Sequence, residues 1–353
     1  MKYYINGRFL TQRITGVQRY AREVTLALDL LLQDTPSDHN EYTILTPKNF
    51  TDKLSCRRIH FKTCGHLSGH LWEQIELPYY AKDGYLLNFC NCAPLIKKNQ
   101  AVTIHDTAIA TFPEAYSWKF RLWYRIMYTV LGKRLKTIFT VSFFSRNELN
   151  KYFGISKKNI HITYNGSEHL LRLRPDYSIL RNVPQRYILA VSSQNPTKNF
   201  KLIIELAKRL SNIDFVIVGG RNNKIFSNIG EMNLSNLHYL GYVTDECLIA
   251  LYQNARAFLY PSLYEGFGIP PLEAMINKCP VITSKCASLP EVCGDAALYI
   301  DSQDIDSDVN CLKNIFQNNT LRENLIDAGK KRSTVFSWKF TAKKIYTLVN
   351  NDS

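Results

Sequence analysis

The chain has 353 residues, 45% hydrophobic and 21% charged. That is too long for one ordinary core and comfortable for two domains, and the balance excludes disordered, collagen-like and fibrous classes. The formal charge of +14 is uneven: residues 1–180 hold 25 Lys/Arg against 14 Asp/Glu, the remainder 19 against 16.

A short strand at Lys2–Ile5 runs into a turn at Asn6-Gly7, with neither the apolar core nor the cleavage site of a signal peptide. A helix over Val17–Leu32 carries Val17, Tyr20, Val24, Leu28 and Leu31 on one face. Strands follow at Tyr42–Thr46, Tyr85–Phe89, Ala101–His105 and Thr137–Val141, the last leading into a helix opened by Ser142 or Ser145. Between them, Trp118–Lys136 mixes aromatics with cations. Leu122, Trp123, Ile126, Met127, Val130 and Leu131 share one helical face, with Arg121, Arg125 and Lys136 off its centre. Such a stripe suits a core-facing helix, or one lying at a membrane interface. No stretch reaches the ~20 apolar residues of a membrane span.

After a linker near 172–186, a new series starts with the buried-type strand Tyr187–Val191, a helix from Asn199 to Leu210 and the strand Phe215–Val218. Strands at Leu237–Tyr239, Ala257–Tyr260 and Val281–Thr283 alternate with helices at Thr244–Asn254 and Pro271–Asn277, and Ser337–Val349 is a capped amphipathic helix. Alternating strands and helices predict parallel sheets covered by helices: α/β, two doubly wound units. The expected domains are 1–183, 184–335 and a terminal helix, 336–353, packing back on the first. Nine scattered cysteines, an odd count, read as reduced small hydrophobes of a cytosolic protein.

The densest chemistry is Pro261-Ser-Leu-Tyr264-Glu265-Gly266-Phe267-Gly268-Ile269-Pro-Pro-Leu-Glu273-Ala. A strand enters a loop with two glycines and then a helix, whose N–H groups and positive dipole end suit a diphosphate. Glu265 and Glu273 flank that position, one placed for sugar hydroxyls and the other for ribose. Lys198, after Val191-Ser-Ser193-Gln-Asn-Pro-Thr, enters a helix where a diphosphate would sit. Asp304-Ile-Asp306-Ser-Asp308 has a metal-like spacing but lacks the glycine and glutamate of a calcium loop, and reads as a helix cap with first-turn charges. His105 and Asp106 end a strand, where α/β sheets bind ligands, though Asp106 equally caps the next turn and is not read as a metal ligand. Gly16, opening the first helix, permits close approach of a phosphate.

The block from Tyr264 to Ala274 resembles glycosyltransferase family four, retaining enzymes of the GT-B fold. Pro280–Ser284, Leu289–Ala297 and Leu240–Glu246 resemble its neighbouring blocks. The resemblance implies two Rossmann-like domains facing a central cleft, with a nucleotide diphosphate-sugar donor and a saccharide acceptor. It implies catalytic roles for His105, Lys198 and Glu265. Donor contacts would come from Gly16, Ser193, Lys198, Tyr242, Val243, Glu265, Gly266, Phe267, Gly268, Ile269 and Glu273. The family's arginine before the lysine is absent here. No cofactor and no metal are expected, and no nucleic-acid partner. The N-terminal pattern resembles bacterial O-antigen and capsule enzymes, implying a lipid-linked acceptor and a cytoplasmic protein in peripheral contact with an anionic membrane. Overall likeness points to mannose from GDP-mannose, ahead of a UDP-hexose or dTDP-deoxysugar. A GT-B sugar-nucleotide epimerase and, last, a basic nucleic-acid-binding protein are the other readings.

Overall fold

In the computed structural model, residues 1–191, 195–220, 234–301 and 303–352 are described. The chain divides into two compact units, Met1–Asn165 with Ser337–Ser353, and Gly166–Phe336.

The first unit holds seven strands: β1 (Lys2–Asn6), β2 (Glu41–Thr46), β3 (Ile59–Thr63), β4 (Tyr85–Asn88), β5 (Gln100–Thr103), β6 (Ile138–Thr140) and β7 (Ile160–Ile162). They form one parallel sheet in the order β3-β2-β1-β4-β5-β6-β7. The second holds β8 (Tyr187–Val191), β9 (Asp214–Val218), β10 (Leu237–Gly241), β11 (Ala257–Tyr260), β12 (Val281–Ser284) and β13 (Ala297–Ile300), parallel in the order β10-β9-β8-β11-β12-β13. Both sheets therefore reverse their strand order beside their first strand, between β1 and β4 and between β8 and β11. Ligands of doubly wound folds bind at the carboxyl ends of strands at this switch point.

Central strands are buried along their whole length, which is why β4, β11 and β12 read as apolar runs rather than alternating ones. In the second unit Ile188, Ala190, Phe215, Ile217 and Leu259 face Ile203, Leu206, Ala207 and Leu210 of the helix Phe200–Arg209 and its end. Each such Leu or Ile contributes about 1.5–3 kcal/mol by leaving water.

The boundary expected at 183/184 falls instead after Asn165. Residues 166–183 hold two short 3-10 helices, Glu168–Arg172 and Tyr177–Asn182, and long-range contacts tie them to the second unit. Asp176 N–H donates to the Glu246 carbonyl at 3.0 Å, and Tyr177 OH donates to Gln253 at 2.6 Å. The terminal helix, Trp338–Asp352, belongs to the first unit. Ala342, Ile345 and Val349 are buried there, Trp338 packs edge-on against Tyr20 at 5.9 Å, and Tyr346 OH donates to Asp38 at 2.7 Å.

The stripe expected on Trp118–Lys136 is rotated from its sequence reading. In the helix Trp118–Arg134 the core-facing residues are Met127, Tyr128 and Leu131, while Leu122 and Ile126 are exposed. Aromatics on several sides of that helix gave periodicity no single answer, and packing chose one.

Candidate functional site

In the second unit, β8 and β11 lie side by side, so the loops leaving them meet. Leu263 N–H donates to the Thr197 carbonyl at 2.7 Å, joining the two loops. Pro196–Lys198 forms a short 3-10 turn capped by Asn195, and Asn199 follows with a left-handed backbone. That turn presents Lys198 Nζ to Tyr260 OH at 2.9 Å and to Glu265 Oε1 at 2.5 Å. Tyr260 OH donates to the same Oε1 at 2.7 Å. Burial alone would lower the Lys198 pKa, but the Glu265 carboxylate outweighs it and holds the ammonium charged. Burial and the same carboxylate keep the Tyr260 phenol protonated. The three side chains form a partly buried lysine–tyrosine–carboxylate cluster at the switch point.

The loop after Glu265 is held from behind. Ser288 Oγ lies 2.9 Å from the Glu265 carbonyl and 2.8 Å from that of Phe267, and Thr283 Oγ1 donates to the Tyr260 carbonyl at 2.8 Å. Phe267 stacks edge-on with Phe336. Gly268 has φ +98°, and a Cβ there would lie 2.8 Å from Leu289, so this turn requires glycine. Gly266 lies between these anchored residues, and Ile269 opens the helix Ile269–Ile276.

Glu273 was expected in that helix's first turn; it is the fifth residue, because the helix starts at Ile269 rather than Pro271. Its carboxylate meets a different group of side chains. Oε1 is 3.2 Å from His169 Nε2, and Oε2 accepts from Tyr252 OH at 3.4 Å. The two glutamates thus anchor two neighbouring clusters, linked by the rings of Tyr252, Phe258 and Tyr260 in succession. Tyr260, Tyr252, Ser288 and His169 were not singled out from the sequence. Tyr260 adjoins the glycine loop and was within reach of inspection. His169 lies in the short 3-10 helix Glu168–Arg172, 104 positions from Glu273, and only the fold brings it there.

Tyr242 and Val243 follow β10, the edge strand, which β9 separates from β8, and Tyr242 is exposed. Ser193 lies outside the described residues. The three aspartates read as a helix cap are each engaged: Asp304 caps Ile305–Gln317, Asp306 pairs with Arg209 at 2.6 Å, and buried Asp308 accepts from Asp301 N–H at 2.9 Å.

In the first unit His105 follows β5 and is buried. Its Nε2 is 2.9 Å from the Phe89 carbonyl, which only accepts, so Nε2 carries the proton and Nδ1 is the acceptor. Burial lowers its pKa to about 4, leaving the ring neutral at physiological pH, and Tyr20 packs edge-on against it at 4.8 Å. Asp106 accepts from Ala108 N–H at 2.9 Å, capping the next turn. Gly16 is exposed and begins the helix Gly16–Gln33 behind a Thr15–Gln18 capping box.

The first sheet's switch point carries a buried ion pair that sequence reading missed. Arg8 Nε is 3.2 Å from Glu73 Oε1, which also accepts from Asn6 at 2.8 Å, while Glu73 Oε2 is 3.2 Å from His70 Nδ1. Cys92 lies close enough to His70 and Glu73 to suggest a metal triad. However, burial pushes its thiol up to about 12, and the carboxylate already neutralises Arg8. As placed, these groups satisfy one another.

Both units are thus doubly wound α/β domains, and the second gathers its conspicuous polar cluster at its switch point. Residues 177–332 match the family described as Glycosyl transferases group 1. The chain carries a group 1 glycosyl transferase domain and has the GT-B fold. It is 34% identical to O-antigen chain mannosyltransferase B of Escherichia coli over 255 residues, covering 67% of this chain and 66% of that protein. It is 32% identical to O-antigen chain mannosyltransferase RfbU of Salmonella typhimurium, covering 64% of this chain and 62% of that protein. The matches therefore span just under two thirds of those relatives' lengths. Sucrose-phosphate synthase from Thermosynechococcus elongatus superposes with a TM-score of 0.72 at 17% identity, over 99% of this chain and 98% of that one.

Proposed function

We propose that the chain is a retaining, metal-independent glycosyltransferase that moves a hexosyl residue from a nucleotide-sugar donor to a saccharide acceptor. The observation that carries this reading is the Lys198–Tyr260–Glu265 cluster at the switch point of the group 1 domain. Both protein donors meet one oxygen of Glu265, so Oε2 is the oxygen that would take a sugar hydroxyl. An ammonium has three N–H donors and, among the described residues, two are taken, leaving one for a phosphate oxygen. Catalysis is then electrostatic. Lys198 and the N–H groups around Gly268 and Ile269 stabilise charge developing on the departing diphosphate. The acceptor hydroxyl attacks from the same face and passes its proton to a phosphate oxygen. Glu273 holds the ribose, and neutral His105 offers Nδ1 to a sugar hydroxyl.

The donor we propose is GDP-mannose, since two of the relatives are named O-antigen mannosyltransferases. The acceptor is a lipid-linked saccharide of surface polysaccharide assembly, reached from the cytoplasmic side. Among the described residues no helix is long and apolar enough to cross a membrane. Mass spectrometry of products from a panel of GDP-, UDP- and dTDP-sugars tests the assignment. Transfer from GDP-mannose to a lipid-linked acceptor is expected; transfer from another donor alone replaces the mannose reading, and epimerisation without transfer replaces the class.

A further inference from the structure

The first unit exposes apolar side chains that its core does not use. On the helix Trp118–Arg134, Trp118, Phe120, Leu122 and Ile126 are exposed, Trp118 at 67%. The cations Lys119, Arg121, Arg125, Lys133 and Arg134 alternate with or follow them, and the helix contains no acidic residue. A second exposed stripe, Leu71, Ile75 and Tyr79, recurs every four residues along the helical stretch 69–80, which includes a π-helical turn at Trp72–Glu76. Its two acids do not offset the cations. Glu73 is buried on Arg8, and Glu76 accepts the backbone N–H groups of His66 and Leu67. The two stretches are neighbours, because His70 packs against Trp123 at 6.0 Å and Tyr124 at 6.3 Å. Between them runs the segment of exposed Ile96, to whose carbonyl Arg134 donates.

Beside the first stripe lies a cavity of about 340 Å³, with Trp118, Leu122, Tyr152, Arg121 and Arg125 among its lining residues. These arginines are one helical turn apart, and among the described residues neither has a carboxylate within ion-pair distance. Two unpaired guanidiniums beside apolar walls match an amphiphile whose phosphate adjoins hydrocarbon. Interleaved cations, aromatics and aliphatics are the composition of a helix lying in a bilayer interface, where rings and long side chains bridge headgroup and acyl layers.

We propose that this face of the first unit, Trp118–Ile126 with Leu71, Ile75 and Tyr79, docks the protein on an anionic lipid bilayer, with Arg121 and Arg125 taking a lipid phosphate. This rests on the reading that the acceptor is lipid-linked, and it names the surface that brings the protein to it. Docking is electrostatic and apolar together. It weakens with salt, since the attraction decays over a Debye length of about 8 Å at physiological ionic strength.

The test is co-sedimentation of the full chain with phosphatidylcholine vesicles, with and without phosphatidylglycerol, at low and high salt. The variants are Arg121→Glu with Arg125→Glu, Leu122→Ser with Ile126→Ser, and a charge-matched control, Lys157→Glu with Lys158→Glu, at exposed positions elsewhere in the unit. Thermal melting of each variant verifies that it is folded. The wild-type chain and the control are expected to pellet with anionic vesicles only. At about fivefold per lost cation near the surface, the double arginine variant should bind at least ~30-fold more weakly. The Leu122/Ile126 variant should also lose binding although its charge is unchanged. Wild-type binding that both test variants retain would place docking elsewhere and overturn the proposal. Sedimentation velocity without lipid adds a second route to refutation: a dimer that Leu122→Ser with Ile126→Ser dissociates would make this face a protein–protein interface. A wild-type chain that binds no vesicle also overturns docking, and transfer to a detergent-solubilised lipid-linked acceptor then reports separately whether the acceptor reading stands.

Discussion

Changing Glu265 and Glu273 separately to glutamine divides the two clusters by function. Glutamine keeps the shape of each side chain and removes its charge. At Glu265 the lost charge is the one 2.5 Å from Lys198 Nζ, so the ammonium no longer spends its field on a carboxylate. Binding of bare GDP should therefore stay unchanged or tighten several-fold. Turnover should fall about 10²–10³-fold, on the order of 2.7–4 kcal/mol, because the carboxylate acts on a sugar that gains positive character only in the transition state. Stability should fall as well. Breaking a buried pair costs about 3–5 kcal/mol, and the cost here is smaller because the Lys198 side chain keeps 21% of its exposure. At Glu273 the protein's own contacts are long, 3.2 Å to His169 and 3.4 Å to Tyr252, so glutamine disturbs folding little. Losing a charge-assisted bond to ribose would cost about 1.5–3 kcal/mol, a GDP affinity roughly 10–150-fold weaker. Calorimetry with GDP, turnover with the competent donor and a thermal melt on both variants give the full comparison. Weaker GDP binding in Glu265→Gln together with a pure rate defect in Glu273→Gln would reverse the roles. Two folded variants with unchanged binding and turnover would move the site elsewhere.

The Gly166–Phe336 fragment, cut at the observed boundary, should bind GDP by calorimetry once circular dichroism shows it folded; binding confined to the other unit would refute the donor assignment. Turnover should survive EDTA, and activity lost to EDTA and restored by Mn²⁺ would refute metal independence. Burial raises the Asp308 carboxyl from 3.8 to about 6, against the Asp301 N–H that favours its charged form. The folded state then holds the proton more tightly than the unfolded one, so stability falls as pH rises through that window. Above about pH 6 the buried charge costs at most roughly 3 kcal/mol. Asp308→Asn should accordingly raise the melting temperature at neutral pH and have little effect in acid; the opposite pattern would show that the carboxylate is stabilising.

Much of the second unit was legible in the sequence. A parallel strand buried on both faces must be a short apolar run, so Tyr187–Val191, Phe215–Val218 and Ala257–Tyr260 stood out. The glycine loop after Ala257–Tyr260 was equally plain, since Gly268 occupies a backbone region that a side chain would strain. Three edge strands were not legible. β3 is largely exposed and interrupts its apolar residues with His60 and Lys62, β7 has three residues with His161 at its centre, and β13, though apolar, is only four residues long and half-buried.

By itself the sequence determined the alternation of strand and helix, and with it the parallel sheets, the number of units and the residue types gathered at the glycine loop. These follow from local chemistry: side-chain period, turn residues and capping. Tertiary structure alone decided which of those residues meet. Lys198 and Glu265 are 67 positions apart and touch because β8 pairs with β11 although β9 and β10 intervene in the chain. The same pairing order separates Tyr242 and Val243 from them by a strand. His169 joined Glu273, and residues 166–183 joined the second unit, through contacts with no local periodicity to announce them. The orientation of Trp118–Arg134 was likewise a packing decision. A helix with apolar residues on several sides has more than one face fit for a core, and only the neighbours that bury Met127, Tyr128 and Leu131 determine which one is left for solvent.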